Sequence, residues 1–400
     1  MNLVLWLTLL LAAADLGAAV WWGAPGLGVA ATVALGFVVV RCRQRRGDIP
    51  SAAVSQAVAA AAPAAPRGPY LRPAADADDP AALVEQMLAQ GRCALVLRPQ
   101  IAATLDDELF ARALAALSLA MALVPEGEVV LGRETEDEPG RVFRLAPFFL
   151  DRCPVTNQQY QEFVAAGGYE QLALWDATIW PAVLEFVDRT GLPGPRYWRD
   201  GGFPPGEEHH PVIGVSWYEA SACARWLGKR LPSDAEWVKA VAWPVQLSPA
   251  VRVQRRYPWG DTMDRAKANL WGSGPGRIVS VHAFAAGTSV GGVQQLVGNV
   301  WEWLSGAFAA DDRDGSLRLP TPMKSIRGGA FDTYFDDQAA CQFQSGENPL
   351  ARRHNIGFRC AIGVCDLLLA RGAASDNAGD DASGDEPPVG AAAATAEQTP

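Results

Sequence analysis

The chain has 400 residues and a net charge of -10, and 49% of its residues are apolar. That apolar fraction is enough for a packed globular core. The negative charge argues against a nucleic-acid partner, because such binding depends on Lys and Arg neutralising phosphates. None of the seven cysteines lies in a CxxC pair, which argues against a thiolate zinc site.

An apolar segment opens the chain. Residues 3–40 contain a single charge, that of Asp15, and the sequence WWGAPG at residues 21–26 interrupts the run. A transmembrane helix needs about 20 apolar residues. Two arrangements therefore remain open: a hairpin formed by residues 3–22 and 25–40, or one span over the second half of the run.

The apolar run ends in arginines rather than in a cleavage site, so we expect it to be retained as a membrane anchor. Residues 1–46 then comprise the transmembrane segment or segments and a basic cluster, made of Arg41, Arg43, Arg45 and Arg46. Cytoplasmic loops carry an excess of Lys and Arg. We therefore expect a membrane partner and a soluble part that lies in the cytoplasm.

Residues 47–79 are rich in Ala and Pro, a composition typical of a semi-extended linker. A helical element of two helices is predicted over residues 80–123. The second helix is expected to begin at Thr104, because Asp107 follows three residues later as in a capping box. The apolar residues after it recur at helical spacing.

Residues 124–365 have a different texture, with short strands near residues 128–132 and 141–150 between Gly- and Pro-rich loops. Helices are predicted near residues 156–166, 217–227 and 234–242. The second ends at Gly228 and the third begins at a capping box formed by Ser233 and Glu236. The pattern indicates an irregular α+β domain. The acidic, low-complexity residues 366–400 are expected to be a disordered tail.

Nine motifs occur in order along this domain: MALVPEGEVVLG (121–132), FFLDRCPVTN (148–157), HPVIGVSW (210–217), CARWLGKRLPSDAEW (223–237), YPWG (257–260), ANL (268–270), GNVWEW (298–303), RGG (327–329) and NIGFRC (355–360). Together they resemble the signature of the formylglycine-generating enzyme (sulfatase-modifying factor) family. The resemblance covers about residues 122–362 and implies an irregular C-type-lectin-like fold of the sulfatase-modifying kind.

The resemblance also implies calcium. In that family two Ca2+ ions pin loops through backbone and side-chain oxygens, which suit a hard cation. The matching positions are Asn269 and Leu270 for one site and, for the other, Gln295, Gly298, Val300 and Glu302. Gln295 stands where Asn or Asp is usual, and a neutral, longer ligand weakens a site. We therefore expect one calcium ion rather than two. Alternatively, Glu302 only hydrogen-bonds loop amides.

The catalytic positions of the family are altered. Its enzymes oxidise a substrate cysteine to formylglycine with a copper ion held by two cysteines, whose soft thiolates select Cu(I). The matching positions here are Thr333 and Gln338, neither of which supplies a thiolate. Copper is therefore not expected. Cys341, which follows the small residues Ala339 and Ala340, is expected to be a buried packing thiol rather than a displaced ligand.

Other groove positions are Ala330, where the family commonly has Ser, Asp332, Tyr334 and the retained Asn355. Aromatic and amide side chains in the span 331–348 suit contact with a peptide or a glycan. The resemblance further implies that Cys223 and Cys360 are neighbours, because extracytoplasmic family members join these positions by a disulfide. We expect reduced thiols if the domain is cytoplasmic.

Two other metal chemistries are not supported. The sequence EEHH at residues 207–210 has metal-capable side chains, but adjacent side chains of an extended chain point to opposite faces. Iron-dependent sulfoxide synthases share this domain and also need spaced histidines in an N-terminal helical domain, whereas residues 80–123 contain no histidine.

The sequence favours a membrane-anchored, non-catalytic module that binds a protein, a peptide or a glycan. The alternative is an oxidase of substrate cysteine, or another metal-dependent oxidoreductase, with a non-standard ligand set. A third interpretation takes residues 331–348 as a diversified ligand surface, as in variable lectin-fold proteins.

Overall fold

The computed structural model describes residues 79–132, 140–248, 251–308 and 322–370. They belong to the unit Pro69–Pro400, one of two units of the chain. The expected transmembrane segment lies outside the described residues, as do residues 47–78 of the linker and 371–400 of the tail. Among the described helices, none is both long and apolar enough to cross a membrane.

Four helices open the described part: α1 (Pro80–Ala89), α2 (Cys93–Val96), α3 (Pro99–Ala102) and α4 (Asp107–Ala120). The first of the two helices expected over residues 80–123 is interrupted after α1 by Gly91, whose φ is +74°. The predicted start of the next helix at Thr104 is wrong. Asp106 is the N-cap instead, because its carboxylate accepts from the Leu109 amide at 2.7 Å, while the Thr104 hydroxyl donates to Ile101.

The first sheet brings both ends of the described domain together. Strand β1 (Met121–Val124) pairs antiparallel with β4 (Phe148–Asp151), and β11 (Ala361–Gly363) pairs with the other side of β4. The helical element therefore ends at Ala120 rather than at residue 123, because the next four residues pair as a strand.

A separate hairpin is formed by β2 (Gly127–Leu131) and β3 (Arg141–Leu145). The single strand expected over residues 141–150 is therefore divided between β3 and β4. Pro147 lies in the break, where its missing N–H cannot serve a sheet ladder.

The second sheet carries the GNVWEW motif. Strand β7 (Trp301–Phe308) lies between β10 (Ile356–Phe358), which is parallel to it, and β8 (Met323–Arg327), which is antiparallel; β9 (Ser345–Glu347) pairs with β8. Glu302 is opposite Gly357 in this register, which brings the NIGFRC motif against the GNVWEW motif. A short hairpin, β5 (Val245–Ser248) and β6 (Val251–Val253), stands apart from both sheets.

The remaining helices are α5 (Asn157–Ala165), α6 (Trp180–Val183), α7 (Trp217–Trp226) and α8 (Asp234–Ala242). The predicted capping box at Ser233 is present, and Gly228 after α7 has the left-handed φ of +76° expected of a helix stop. Both ends therefore follow from local sequence.

Aromatic side chains dominate the core between α5, α7 and the second sheet. Tyr160, Phe163 and Trp303 are fully buried there, and the Tyr160 ring meets Phe163 and Trp198 edge-on at centroid distances of 5.3 and 6.0 Å. A second cluster surrounds Trp237 of α8. A third joins helices α1–α4 to the first sheet through Met121, Ile362 and Leu367, so the helical element is packed against the domain.

Candidate functional site

The GNVWEW motif places one carboxylate in the interior. Glu302 accepts two hydrogen bonds from Arg359, from Nη2 to Oε1 at 2.7 Å and from Nε to Oε2 at 2.8 Å, and the Trp237 indole N–H donates to Oε2 at 2.8 Å. The side chains of Arg359 and Glu302 are 0% and 1% exposed. Glu302 therefore has a hydrogen-bonding role, as the alternative to calcium binding proposed. Its partners are a guanidinium and an indole rather than loop amides.

The loop before β7 holds a set of buried amides. Gln295 donates from Nε2 to the carbonyls of Ser280 (2.8 Å) and Ala283 (3.0 Å), and its Oε1 accepts from Asn299 Nδ2 at 2.7 Å. Asn269 donates from Nδ2 to Asn299 Oδ1 at 3.0 Å. These three side chains form one connected chain that we call the amide chain.

The calcium donors expected from the family do not form a cation site. The only carboxylate among them, that of Glu302, is neutralised by Arg359, and the Gln295 oxygen is taken by Asn299. The Leu270 carbonyl accepts from the backbone N–H groups of Ser273 and Gly274. Calcium takes six to eight oxygens and its affinity rises with ligand charge. The donor set therefore does not fit a calcium ion.

One expected donor oxygen stays unpaired: Asn269 Oδ1 is buried without a hydrogen-bond partner among the described residues. It faces Gly274, where an added Cβ would lie 1.8 Å from it. One neutral oxygen covered by a glycine backbone is not a ligand set. Gly298 and Val300 also lie in this loop, and both are buried.

The Gly-Gly turn after β8 positions the groove. Gly328 and Gly329 have φ values of +100° and +76°. A Cβ on Gly328 would lie 2.8 Å from the carbonyl oxygen of Leu296, so only glycine allows this close approach. The Gly298 amide donates to the Gly328 carbonyl at 2.9 Å. After this turn the Phe331 amide donates to the Asn299 carbonyl at 3.2 Å, which brings the chain beside the GNVWEW motif.

The two positions of the family's copper ligands have local structural roles. The Thr333 hydroxyl is buried and accepts from the Ala330 amide at 2.8 Å, which closes a tight turn. Gln338 lies in a short 3-10 turn, Asp336–Ala339. Cys341 is buried, its thiol donates to the Arg255 carbonyl at 3.2 Å, and burial raises its pKa to about 12. The described residues contain no group of three or more His, Cys, Asp or Glu able to hold a metal ion.

The remaining groove candidates separate into buried and open positions. Ala330 is fully buried, so its side chain is not available to a ligand. Asn355 donates from Nδ2 to both carboxylate oxygens of Asp332, at 3.2 and 3.1 Å, and His354 Nε2 lies 3.4 Å from Asp332 Oδ2. Tyr334 is 62% exposed. Asp332, Asn355 and Tyr334 therefore remain as candidate polar and aromatic residues of the predicted groove.

Sequence reasoning missed Trp271 and Arg265. Trp271 is 55% exposed, and its amide donates to the Thr333 carbonyl at 3.2 Å, which brings it to the loop of Tyr334 and Phe335. We call the exposed side chains of Trp271, Tyr334 and Phe335 the aromatic platform. The rings of Tyr334 and Phe335 meet edge-on at 5.1 Å. The signal was available, because Trp271 directly follows the ANL motif.

Arg265 connects the two loops that carry the aromatic platform. Its guanidinium donates to the carbonyls of Trp271 (2.6 Å) and Tyr334 (2.9 Å) and pairs with Asp336 at 2.6 Å. One side chain therefore ties together the two loops that carry the aromatic rings. The platform is preorganised by backbone contacts rather than by ring packing alone.

The other sequence candidates lie elsewhere. Cys223 and Cys360 are both fully buried in the same core cluster and are free thiols in this structure. His209 meets His282 through their rings at a centroid distance of 5.7 Å, and His210 Nδ1 is buried without a partner among the described residues. Burial lowers the pKa of His210, which favours its neutral form.

The family description "Sulfatase-modifying factor enzyme 1-like domain" matches residues 108–364, well over half of the chain. The chain belongs to this family. The match begins inside α4 and ends just after β11, so the last helix of the helical element is part of the sulfatase-modifying factor domain. The family predicted from the ordered motifs is confirmed.

Relatives in this family differ in their named activities. The chain is 36% identical over 200 residues to a hercynine oxygenase of Mycolicibacterium smegmatis, which covers 46% of this chain and 44% of the relative. It is 29% identical over 283 residues to the inactive C-alpha-formylglycine-generating enzyme 2 of Bos taurus, covering 61% of this chain and 88% of the relative. The chain thus spans less than half of the hercynine oxygenase and most of the bovine protein.

Among solved structures, that of PvdO from Pseudomonas aeruginosa is similar with a TM-score of 0.41 and 20% identity. The similarity covers 60% of this chain and 93% of PvdO.

Proposed function

We propose that this chain is a non-catalytic member of the sulfatase-modifying factor family that binds a protein or peptide segment on its aromatic platform. The observation that carries the proposal is Thr333, whose hydroxyl closes a turn at a position where the family has a copper thiolate. A hydroxyl that accepts from the Ala330 amide is not a soft metal ligand. The bovine relative named as an inactive formylglycine-generating enzyme gives support from within the family.

The surface beside Thr333 has the features of a recognition site. Trp271, Tyr334 and Phe335 are each more than half exposed, and Arg265 holds their two loops in place. Large, preformed aromatic side chains supply contact area at low entropic cost and are enriched among residues that dominate binding energy. The Asp332 carboxylate and Asn355 amide add polar groups at the same groove.

The experiment selects peptides from a random displayed library on the purified protein and measures their affinities by calorimetry. Trp271→Ala and Phe335→Ala are expected to weaken binding about tenfold or more, because removing a central aromatic anchor costs about 2 kcal/mol. Leu184→Ala is the matched control, since Leu184 is 84% exposed but lies outside the platform. Equal affinities for all three variants would contradict the proposal, and selective binding on a glycan array would assign the platform to sugars instead.

The second candidate is a metal-dependent oxidoreductase with a non-standard ligand set. It is favoured by the identity to hercynine oxygenase, a relative named for an enzymatic activity. Cu(I) or Fe(II) binding is measured on the purified protein together with O2 uptake, using a cysteine-containing peptide and hercynine as substrates. Stoichiometric, tight metal and turnover would replace the binding-module proposal, whereas neither is expected from the groove residues.

The binding module is proposed to be membrane-anchored. The apolar residues 3–40 support this, followed by the cluster of four arginines before the linker. The full chain is expected to stay in the membrane fraction after carbonate extraction, and a chain without residues 1–46 is expected in the supernatant. Protection of residues 47–400 from protease in intact cells is expected for a cytoplasmic module; digestion from outside would reverse the orientation.

A further inference from the structure

We propose that the loops around the GNVWEW motif are held by the amide chain and by the Arg359 guanidinium in the place where the family implies a calcium ion. The family's cation pins irregular loops by gathering oxygen atoms around a positive charge. In this chain, side-chain amide nitrogens donate to the loop carbonyls, and the Arg359 side chain supplies the positive charge. The inference concerns how the domain is stabilised and does not depend on the proposed function.

The Gln295 side chain is the first link of the amide chain. Its two N–H groups donate to the carbonyls of Ser280 and Ala283, and its oxygen accepts from Asn299. The side chain is buried, and the two hydrogen bonds that its Nε2 donates join the loop before β7 to the loop at residues 280–283. To act as a calcium ligand, Gln295 would have to share with the ion the same Oε1 atom that accepts from Asn299.

Asn299 extends the chain to a third segment. Its Oδ1 accepts from the Val279 amide at 2.9 Å and from Asn269 Nδ2 at 3.0 Å, while its Nδ2 donates to the Val279 carbonyl at 3.0 Å. Asn269 Nδ2 also donates to the Arg277 carbonyl at 2.9 Å. The amide chain thus links residues 269, 277–283 and 295–299 without any ionised group.

The charge at this place is supplied by Arg359. Its Nη2 donates to the carbonyls of Gln294 (2.8 Å) and Gln295 (3.3 Å), and the same nitrogen pairs with Glu302. Its Nη1 donates to the Asp151 carbonyl at 2.9 Å. A buried guanidinium therefore collects backbone oxygens as a cation would. The same charge cancels that of the nearby carboxylate, so a divalent ion would meet no net negative charge.

The backbone conformation at Gln295 is a second observation that the amide chain restrains the loop. Gln295 has a φ of +51°, in a left-handed region that L-residues other than Asn and Asp rarely adopt. Such a conformation persists only where the surrounding contacts over-determine it. The three side-chain hydrogen bonds of Gln295 provide that restraint, so the amide is the element that keeps the turn.

The test measures calcium and stability on the full chain. The protein is first stripped of metal by exhaustive chelation and then dialysed against buffer that contains a trace of calcium. We expect atomic emission to find less than a tenth of an equivalent of bound calcium. Neither EDTA nor millimolar CaCl2 is expected to move Tm by more than about 1 °C, because a ligand shifts stability only if it binds the folded state. One tightly bound equivalent, or a Tm that falls on chelation, would overturn the proposal.

Two variants test whether the amide chain stabilises the domain. Gln295→Leu removes all three side-chain hydrogen bonds of Gln295, among them the one accepted by the Ala283 carbonyl, and we expect Tm to fall by about 4 to 8 °C whether or not calcium is present. Gln158→Leu is the matched control, because Gln158 is exposed, and its Tm is expected to stay within about 1 °C of the parent chain. An unchanged Tm in Gln295→Leu, or its full rescue by calcium, would overturn the amide chain as the stabilising element. If that variant does not accumulate, the calcium measurement on the unsubstituted chain decides the question.

Discussion

The pair of Glu302 and Arg359 is the most deeply buried ion pair of the described residues that touches the family signature. Two hydrogen bonds and an indole N–H satisfy the carboxylate, and backbone carbonyls satisfy the guanidinium. A buried pair of this kind is weak evidence of net stabilisation, since desolvation opposes the attraction. Removing one partner, however, leaves the other charge buried and unpaired.

We expect Arg359→Met to lower the free energy of unfolding by about 3 to 5 kcal/mol, because the Glu302 carboxylate would lose its counter-charge. Arg353→Met is the control. The pair of Arg353 with Glu347 has 58% and 20% exposed side chains and a separation of 2.7 Å, so its loss should cost less than about 1 kcal/mol. Urea unfolding of both variants gives the comparison, and similar losses would show that burial is not the deciding factor.

A second residue-scale prediction concerns Cys341 and pH. Burial raises the pKa of this thiol from its usual 9.0 to about 12, so between these values the folded chain keeps a proton that the unfolded chain releases. The stabilisation is complete below pH 9 and is lost as pH rises toward 12. We expect stability to fall more steeply between about pH 8.5 and about pH 10.5 in the parent chain than in Cys341→Ala. Equal slopes in urea unfolding would contradict the assigned role of burial.

At the scale of single elements, helix ends follow local sequence while strand limits follow their partners. The capping boxes at Thr156, Ser216 and Ser233 mark the starts of α5, α7 and α8. Strand β1 takes over at Met121, within a stretch of helical apolar spacing, because it can pair with β4. Tertiary pairing overrides helix propensity at that point.

Gly228 supplies a test at this scale. Its φ is +76°, and a Cβ there would lie 2.7 Å from the Cα of Leu95 in α2. We expect Gly228→Ala to lower Tm by about 4 °C or more, because the substitution adds a backbone clash to the left-handed strain. Gly91→Ala is the control, since Gly91 has a φ of +74° with open space around its Cα.

The difference in Tm between these two alanine variants isolates the contact between α2 and the end of α7 from the cost of the left-handed conformation. Equal falls in Tm for the two variants would mean that the close approach of Leu95 to Gly228 does not add to the cost of the substitution.

At the scale of the whole molecule, helices α1–α4 complete the core rather than form a separate spacer. Buried side chains of α2 and α4, including Val96 and Leu117, share a cluster with Ile362 and Leu367 near the end of the described chain. Arg92 also reaches across, with its Nε donating to the Trp226 carbonyl at 3.0 Å. The sulfatase-modifying factor domain therefore depends on residues before its first strand.

A chain of residues 80–370 is expected to unfold cooperatively, whereas a chain of residues 121–370 should lose at least about 3 kcal/mol and bind a hydrophobic dye. The reason is that Met121, Ile362 and Leu367 would become exposed, and each large apolar side chain contributes about 1.5 to 3 kcal/mol on burial. Thermal unfolding and dye fluorescence of both chains give the measurement. Identical curves would assign the helices to a spacer.

The sequence by itself determined the family, because its motifs combine turn glycines, capping residues and aromatic anchors whose roles are local. It also determined that Thr333 and Gln338 supply no thiolate, since that is a matter of residue type. It predicted as groove residues Asp332 and Tyr334, which follow the RGG motif, and Asn355, which opens the NIGFRC motif.

Only the tertiary structure decided which side-chain oxygens already accept hydrogen bonds from other residues. Glu302 and Gln295 are oxygen donors by residue type, yet Arg359 and Asn299 occupy them through contacts across 57 and 4 positions of the chain. Ala330 is buried and Trp271 is open for the same reason, because exposure depends on how distant loops pack. Residue type fixes what a side chain can bind, but packing fixes what it is left free to bind.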